Sequence, residues 1–405
     1  MFLSLGIGDV ILIKKIKIEE KKALLDKVIF GGISIIQIDD MEKLVESGIV
    51  QQGTAKAKYM TATGQEFDRI SIENDGIINK LTAGSKILAN KRVDYCHLEC
   101  CVKNTGYGNL SCYTVQDYLE RLQEIEKHLI DTYGIHVDLS DITIREIEVN
   151  RTFRLHDDFS AYHRCITLLM SNLPQYLKNQ MDFKKSWQNN VEYQTYYATS
   201  KTTNKSKRYL LFKIYNKSKS VENIVLLTDS YMRVEFRLVG SEKVKKALGT
   251  NKFVELTDQI INQYFDTQVQ KLIIKPYERF KTERDKYIIE LMQEQREADI
   301  RHWQTNVLRI IMNEEVKQKH PLLLDISELL LLVNNLNISS KRRYEVKKNF
   351  SRQAQKFETV LCSEDHKKLQ EIMDKLTVND TANNTVNKAV YTAIVPNIEG
   401  IGKIA

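Results

Sequence analysis

The sequence predicts an α+β protein: a central antiparallel sheet with helices on one face, followed by a mostly helical C-terminal region. Three observations predict it. Between residues 92 and 239, several segments alternate apolar and polar residues with the period of two expected of half-buried strands. Two segments among them carry apolar residues at helical spacing, so each offers a stripe to lay against a sheet. Beyond Pro276 the alternation gives way to helical spacing as far as about residue 377.

The chain has 405 residues, enough for two or three domains and a sizeable core. Its 42% hydrophobic and 28% charged residues are ordinary for a soluble globular protein, and the net charge of +7 permits an anionic partner without requiring one. Six cysteines stand at 96, 100, 101, 112, 165 and 362, with no dense disulfide module, which points to a reducing compartment and hence the cytoplasm. Cys96, His97, Cys100, Cys101 and Cys112 fit no paired zinc-ligand spacing; small cysteines on a strand account for them more simply. No run approaches the roughly 18 apolar residues of a membrane span, so no membrane partner is expected.

Residues 1–90 read as an N-terminal α/β part. MFLSLGIGDVILIKK, with Asp9 inside it, reads as a first strand rather than a signal peptide. DVILIKKIKI, GISIIQI and DRISIE read as strands, EEKKALLDKV and DDMEKLVESGI as short helices, and no chemistry stands out among them. Residues 91–275 form the sharpest stretch. RVDYCHLECCV is a strand; TVQDYLERLQEIEKHLIDTYG is a helix that Thr114 can cap and Gly134 can end. DITIREIEVNRTF is the next strand, and DDFSAYHRCITLLMSNLP a second helix closed by Pro174. The strands NVEYQTYYATS, KRYLLFKIY and YMRVEFRLV follow, then the helices SEKVKKALG and KFVELTDQIINQYF. Residues 276–377 are helical. LLLDISELLLLVNNLNI followed by SSKRRYEVKKNFSRQAQK gives a helix, a short turn and a basic helix, which fits either a DNA-binding helix-turn-helix or a plain helical hairpin. Residues 378–405 read as a flexible tail.

Alternation also sorts side chains by face. His97 and Glu99 oppose Cys96, Leu98 and Cys100 on one strand; Glu146, Glu148 and Asn150 oppose Ile147, Val149 and Phe153 on the next. Lys213, Tyr215 and Lys217 oppose Leu210, Phe212 and Ile214; Arg233, Glu235 and Arg237 oppose Val234, Phe236 and Leu238. If these strands share a sheet, one face is apolar and the other collects carboxylates, a histidine, a tyrosine and basic residues. That polar face is either a solvated surface of ion pairs or a site. Carboxylates from separate strands can hold a divalent cation, Lys and Arg suit phosphate, and a tyrosine can be a covalent nucleophile. Residues 201–220, KTTNKSKRYLLFKIYNKSKS, hold seven Lys or Arg and no acid, which favours DNA contact over a merely solvated loop.

Four stretches in this order, CHLECCVKN, DITIREIEVNRTF, RYLLFKIYNKSKSVEN and YMRVEFRLVGSEKVKKALGTNKFVELTD, resemble the rolling-circle replication initiators of filamentous phages and the related plasmid replication proteins. The likeness runs from about residue 90 to 265. It implies a catalytic nicking domain of the replication-nuclease type over 91–275. It implies that Tyr215 is the nucleophile, with Lys217 and Lys213 supporting the phenolate, His97 or Glu146 as a base, and Glu99, Glu148 and Glu235 holding Mg²⁺ or Mn²⁺. Glu148 stands where that family usually has aspartate, and His97-Leu98-Glu99 is the nearest thing to the two-histidine motif of other nickases. The implied partners are DNA, as a single-stranded or extruded replication origin, and the host replication machinery. The implied product is a 5′-phosphotyrosyl link with a free 3′-hydroxyl, and later strand joining. A conjugative relaxase with the same chemistry, a non-catalytic DNA-binding protein on this scaffold, and an unrelated α+β protein with a solvated polar face remain open at this level.

Overall fold

The alternating segments assemble into one nine-stranded sheet in which every pairing is antiparallel. A computed structural model describes residues 22–53, 57–101, 112–178, 195–200, 210–218, 229–317, 322–354 and 363–377. The expected strand at the N-terminus, most of the basic run 201–220 and the tail 378–405 lie outside the described residues.

The sheet strands are β1 (Leu24–Gly31), β3 (Val50–Gln51), β6 (Arg69–Glu73), β7 (Lys80–Leu88), β8 (Lys91–Cys101), β10 (Thr143–Arg154), β11 (Thr195–Thr199), β12 (Leu210–Asn216) and β13 (Tyr231–Val239). Their order is β11-β12-β13-β10-β1-β8-β7-β6-β3. Two small ribbons pair β2 (Ser34–Ile38) with β9 (Ile135–Asp138), and β4 (Tyr59–Met60) with β5 (Glu66–Phe67). Four of the nine strands of this sheet therefore come from the first ninety residues.

Helices cover one face of the sheet, as the sequence predicts. After the short α1 (Met41–Glu46) come α2 (Val115–Tyr133), α3 (His163–Ser171), α4 (Gln175–Lys178), α5 (Ser241–Leu248) and α6 (Asp258–Val269). The Thr114 side chain caps α2 in a reciprocal box with Asp117, and Gly134 ends it at φ +60°. Val115, Tyr118, Leu122, Ile125 and Leu129 form its buried stripe. Rings lock this layer: Phe30 lies edge-on to Tyr118 and Phe253, and Phe236 stacks on Phe212 and meets Phe265 edge-on. Burying such a ring contributes roughly 1.5–3 kcal/mol. Even Arg151 is drawn into this face, its guanidinium 4.4 Å from the Phe265 ring centre and 3.0 Å from Asp266.

One element departs from expectation. EEKKALLDKV was expected to be helical, yet Leu24–Gly31 is a strand. The register between β1 and β10 steps from Leu25↔Val149 to Lys27↔Glu148, so Asp26 is an extra residue, a β-bulge. The bulge spaces the core residues Leu25 and Val28 three apart, which imitates helical periodicity in the sequence.

A five-residue π turn, Gln270–Ile274, joins α6 to α7 (Lys275–Ala298). Then follow α8 (Trp303–Lys317), α9 (Ile326–Leu332), α10 (Ser340–Ala354) and α11 (Ser363–Leu376). The end of α7 with α8, α9 and α10 builds a second core around Ile288, Trp303, Leu329 and Phe350. Asp325 caps α9, as expected. Helix α11 returns to the sheet's own core through Leu369, Ile372 and Leu376, tied by Tyr162 to Glu371 and by Arg164 to Asp365. No helix among the described residues is long and apolar enough to cross a membrane.

Candidate active site on the open sheet face

The face away from the helices concentrates its charge on four adjacent strands, β12, β13, β10 and β1. Pairing fixes the neighbours. Tyr215 lies opposite Arg233, Lys213 opposite Glu235, Glu235 opposite Asn150, and Glu148 between Arg237 and Lys27. The Tyr215 hydroxyl donates to Glu235 Oε2 at 3.1 Å, and Lys213 donates to the other oxygen of the same carboxylate. Glu235 is 2% exposed, so these two donors and its carboxylate neighbours make up its surroundings.

Asp26, Glu148 and Glu235 come together here, with one oxygen from each lying within 4.8 Å of the others. Two oxygens bound to one cation at 2.0–2.6 Å lie at most roughly 5.2 Å apart, so the three are within reach of a single ion. Asp26 is 6% exposed, and its Oδ1 has no hydrogen-bond partner. A buried, unpaired carboxylate oxygen beside two further carboxylates fits a hard divalent cation. The bulge at Asp26 is what aims this oxygen: residues 26 and 27 both turn to the open face, where a regular strand would send one of them to the core.

A second residue organises the cluster. Arg233, opposite Tyr215 on the neighbouring strand, is fully buried, with Nε donating to Thr152 Oγ1 at 2.7 Å and Nη1 to Asp26 Oδ2 at 2.9 Å. Burial would lower its pKa, but Cys112, Tyr215 and Asp26 around it outweigh that and raise it. Arg237 pairs with Glu146 and, at 3.5 Å, with Glu148.

Burial pushes the Tyr215 hydroxyl well above its ordinary pKa, with Arg233 opposing the shift. The phenol is therefore protonated at neutral pH in the free protein and donates to Glu235. Burial, then the nearby Arg233, draws Lys217 down to about 8. Its Nζ sits 6.0 Å from the centre of the Tyr215 ring. Burial acts to lower the Lys213 pKa as well, yet Glu235 and Glu148 prevail and raise it.

Glu148 is lifted to about 7 by burial and then by the Glu235 charge. The sign of the stability effect follows. Between about 4.5 and about 7 the folded protein holds a proton on Glu148 that the unfolded chain releases, so stability falls as pH rises through that window. With chelator present, Glu148→Gln is expected to flatten this fall and to raise the thermal midpoint above pH 7. Melting curves at pH 5, 6, 7 and 8 check it, and identical pH profiles for the two proteins contradict it.

Of the residues singled out from sequence, Tyr215, Lys213, Lys217, Glu148 and Glu235 are brought together. Glu99 is not among the three clustered carboxylates: it lies on β8 and pairs with Lys27 at 2.6 Å. His97 lies four residues along β8 from Cys101, which faces Lys27, or about 13 Å at 3.3 Å per residue. Burial, then Arg145 and Lys86, lowers its pKa to about 4, and its Nε2 is buried without a partner. The cysteines divide as expected of a strand, with Cys96 and Cys100 buried in the core. The first ninety residues were expected to hold no chemistry; instead they supply Asp26. Cys112, whose thiol exchanges hydrogen bonds with Asn150 at 3.1–3.4 Å, closes the floor beside Arg233.

No family model and no curated protein matches the chain. Among solved structures, a rolling circle replication initiator protein from Geobacillus stearothermophilus is similar at 11% identity and a TM-score of 0.30, over 62% of this chain and 85% of that one. At that level the likeness says nothing of the chemistry, which rests on the geometry above.

Proposed function

We propose that this protein is a DNA strand-nicking initiator of the rolling-circle type, with Tyr215 as its nucleophile. The observation that carries the reading is the Tyr215 hydroxyl bonded to Glu235 at the edge of the Asp26–Glu148–Glu235 cluster, on the sheet face that no helix among the described residues covers. A half-buried tyrosine against a carboxylate triad and three basic side chains suits what phosphodiester cleavage with retention of the cut end needs.

In this reading Tyr215 Oη forms a bond to the scissile phosphorus while the bond from phosphorus to the 3′-oxygen breaks. The phenol proton passes to Glu235. Lys217, with its pKa drawn to about 8, would protonate the departing 3′-oxygen. Lys213 and Arg233 hold Glu235 and Asp26 in place and offset the charge gathering on the phosphoryl oxygens. Mg²⁺ or Mn²⁺ bound by Asp26, Glu148 and Glu235 would polarise the scissile phosphate. The products are a 5′-phosphotyrosyl link and a free 3′-hydroxyl for a host polymerase to extend, and reversal of the same steps joins the strand. The substrate in this reading is origin DNA with single-stranded character. Helix α10 carries Lys341, Arg342 and Lys348 on its exposed side and buries Val346 and Phe350 against the second core, an arrangement suited to phosphates of adjoining duplex.

The test separates Asp26 from Glu99. Asp26→Asn is expected to weaken Mn²⁺ binding about tenfold or more, whereas Glu99→Gln stays within about twofold. Mn²⁺ titrations followed by electron paramagnetic resonance measure this apart from cleavage, and nicking assays on single-stranded DNA should follow the same order. Equal Mn²⁺ affinity in wild type and Asp26→Asn rejects the cation site.

A further inference from the structure

The hairpin of β7 and β8 reaches past the sheet it belongs to. β6 pairs with β7 only as far as Gly84, and β1 pairs with β8 only as far as Leu98. Beyond those points residues 85–88 and 91–94 pair only with each other among the described strands. Four residues in each strand make an arm about 13 Å long. Every residue from 86 to 94 is exposed.

The arm is built to hold its shape. Ala89 and Asn90 at its tip have φ of +50° and +61°. Such a left-handed pair makes the two-residue turn whose twist matches a two-stranded ribbon. At the root the Tyr95 ring lies against Gly84, where a Cβ would come within 2.9 Å of the Tyr95 hydroxyl. Lys86 Nζ stands 5.5 Å from the centre of that ring.

The two faces of the arm differ. Lys86 pairs with Val93 and Leu88 with Lys91, which sets these four on the same face as Tyr95 and His97, the face that carries Tyr215. This face of the arm has two cations, two apolar side chains and no acid. The arm's one acid, Asp94, points the other way, where Arg92 holds both its oxygens at 2.9 Å and Ser85 donates to it. Leu88 and Val93 are 50% and 38% exposed. Large apolar side chains grouped on an exposed ribbon mark an interaction surface. Charge selects the partner: cations with no acid beside them favour a polyanion and disfavour a second copy of the same face. Dimensions select its form. The major groove of duplex DNA, about 12 Å wide and about 8.5 Å deep, admits a two-stranded ribbon, and an arm of about 13 Å reaches its floor.

We propose that this arm enters the major groove of duplex DNA flanking the nick site, with Lys86 and Lys91 on the phosphates of the groove walls and Leu88 and Val93 against base edges. That the duplex flanks a nick rests on the reading of Tyr215 above; that the arm binds duplex does not.

The experiment uses the full chain carrying Tyr215→Phe, so that no cleavage intervenes, and a fluorescent 20-base-pair duplex followed by anisotropy at several salt concentrations. Lys86→Gln/Lys91→Gln is expected to lower affinity about tenfold or more and to reduce the salt slope by about two units. Leu88→Ser/Val93→Ser should lower affinity about fivefold and leave the slope unchanged. Lys286→Gln/Lys367→Gln, which removes the same charge from exposed positions on α7 and α11, should stay within about twofold. Because the arm is exposed, melting temperatures should hold in all three. Adduct formation on single-stranded DNA, measured with Tyr215 restored, reads the nicking chemistry apart: arm-dependent duplex binding in a protein that forms no adduct sustains the arm and rejects the nucleophile. No duplex binding by the full chain, equal losses in the control, affinities unchanged in both arm variants, or a change in self-association in place of DNA affinity overturns the proposal.

Discussion

Tyr215→Phe is expected to abolish the covalent protein–DNA adduct and to cut nicking by on the order of 10³-fold or more, while DNA affinity changes little. One oxygen is removed from the whole protein. The ring keeps its place opposite Arg233, and Glu235 keeps its bond to Lys213, so stability should shift by only about 1 kcal/mol. The contrast between lost chemistry and retained binding separates a nucleophile from a tyrosine that merely packs. Denaturing gels read the adduct and filter binding reads the affinity. A Phe variant that still forms a denaturation-resistant adduct moves the nucleophile elsewhere.

The second large effect is on stability. Arg233→Met should destabilise the fold by about 3–5 kcal/mol, because it strips the counter-charge from the largely buried Asp26. Arg233→Met combined with Asp26→Leu should recover most of that loss, since removing both members of a buried pair leaves no orphaned charge. Urea unfolding of the two variants measures the difference. If the single change costs less than about 1 kcal/mol, the pair does not hold this part of the sheet.

Much of the scaffold could be read from the chain. Helix α2 announces itself by its stripe, its Thr114 cap and its terminal Gly134, all local signals. Alternation placed Tyr215, Lys213, Glu148 and Glu235 on one face, because period two is a property of each strand alone. It could not say which strands are neighbours. β1 slips between β8 and β10, so Glu99 is held away from the cluster while Asp26 enters it. That pairing joins residues more than a hundred positions apart in the chain and leaves no local mark. The bulge hid it further, since one inserted residue turns a strand's alternation into something that reads as helical. Arg233 was visible as a member of the polar face, but its place between Asp26 and Thr152 depends on the register of three strands.

The most direct test of the account is to find where the DNA attaches. The protein is incubated with single-stranded origin DNA and Mn²⁺, denatured, digested with nuclease and protease, and its peptides are sequenced by mass spectrometry. The account predicts a nucleotide remnant, linked through its 5′-phosphate, on the peptide that contains Tyr215, absent when chelator replaces Mn²⁺ and absent in Tyr215→Phe. A remnant on any other residue, or an adduct that forms equally well in chelator, would contradict it.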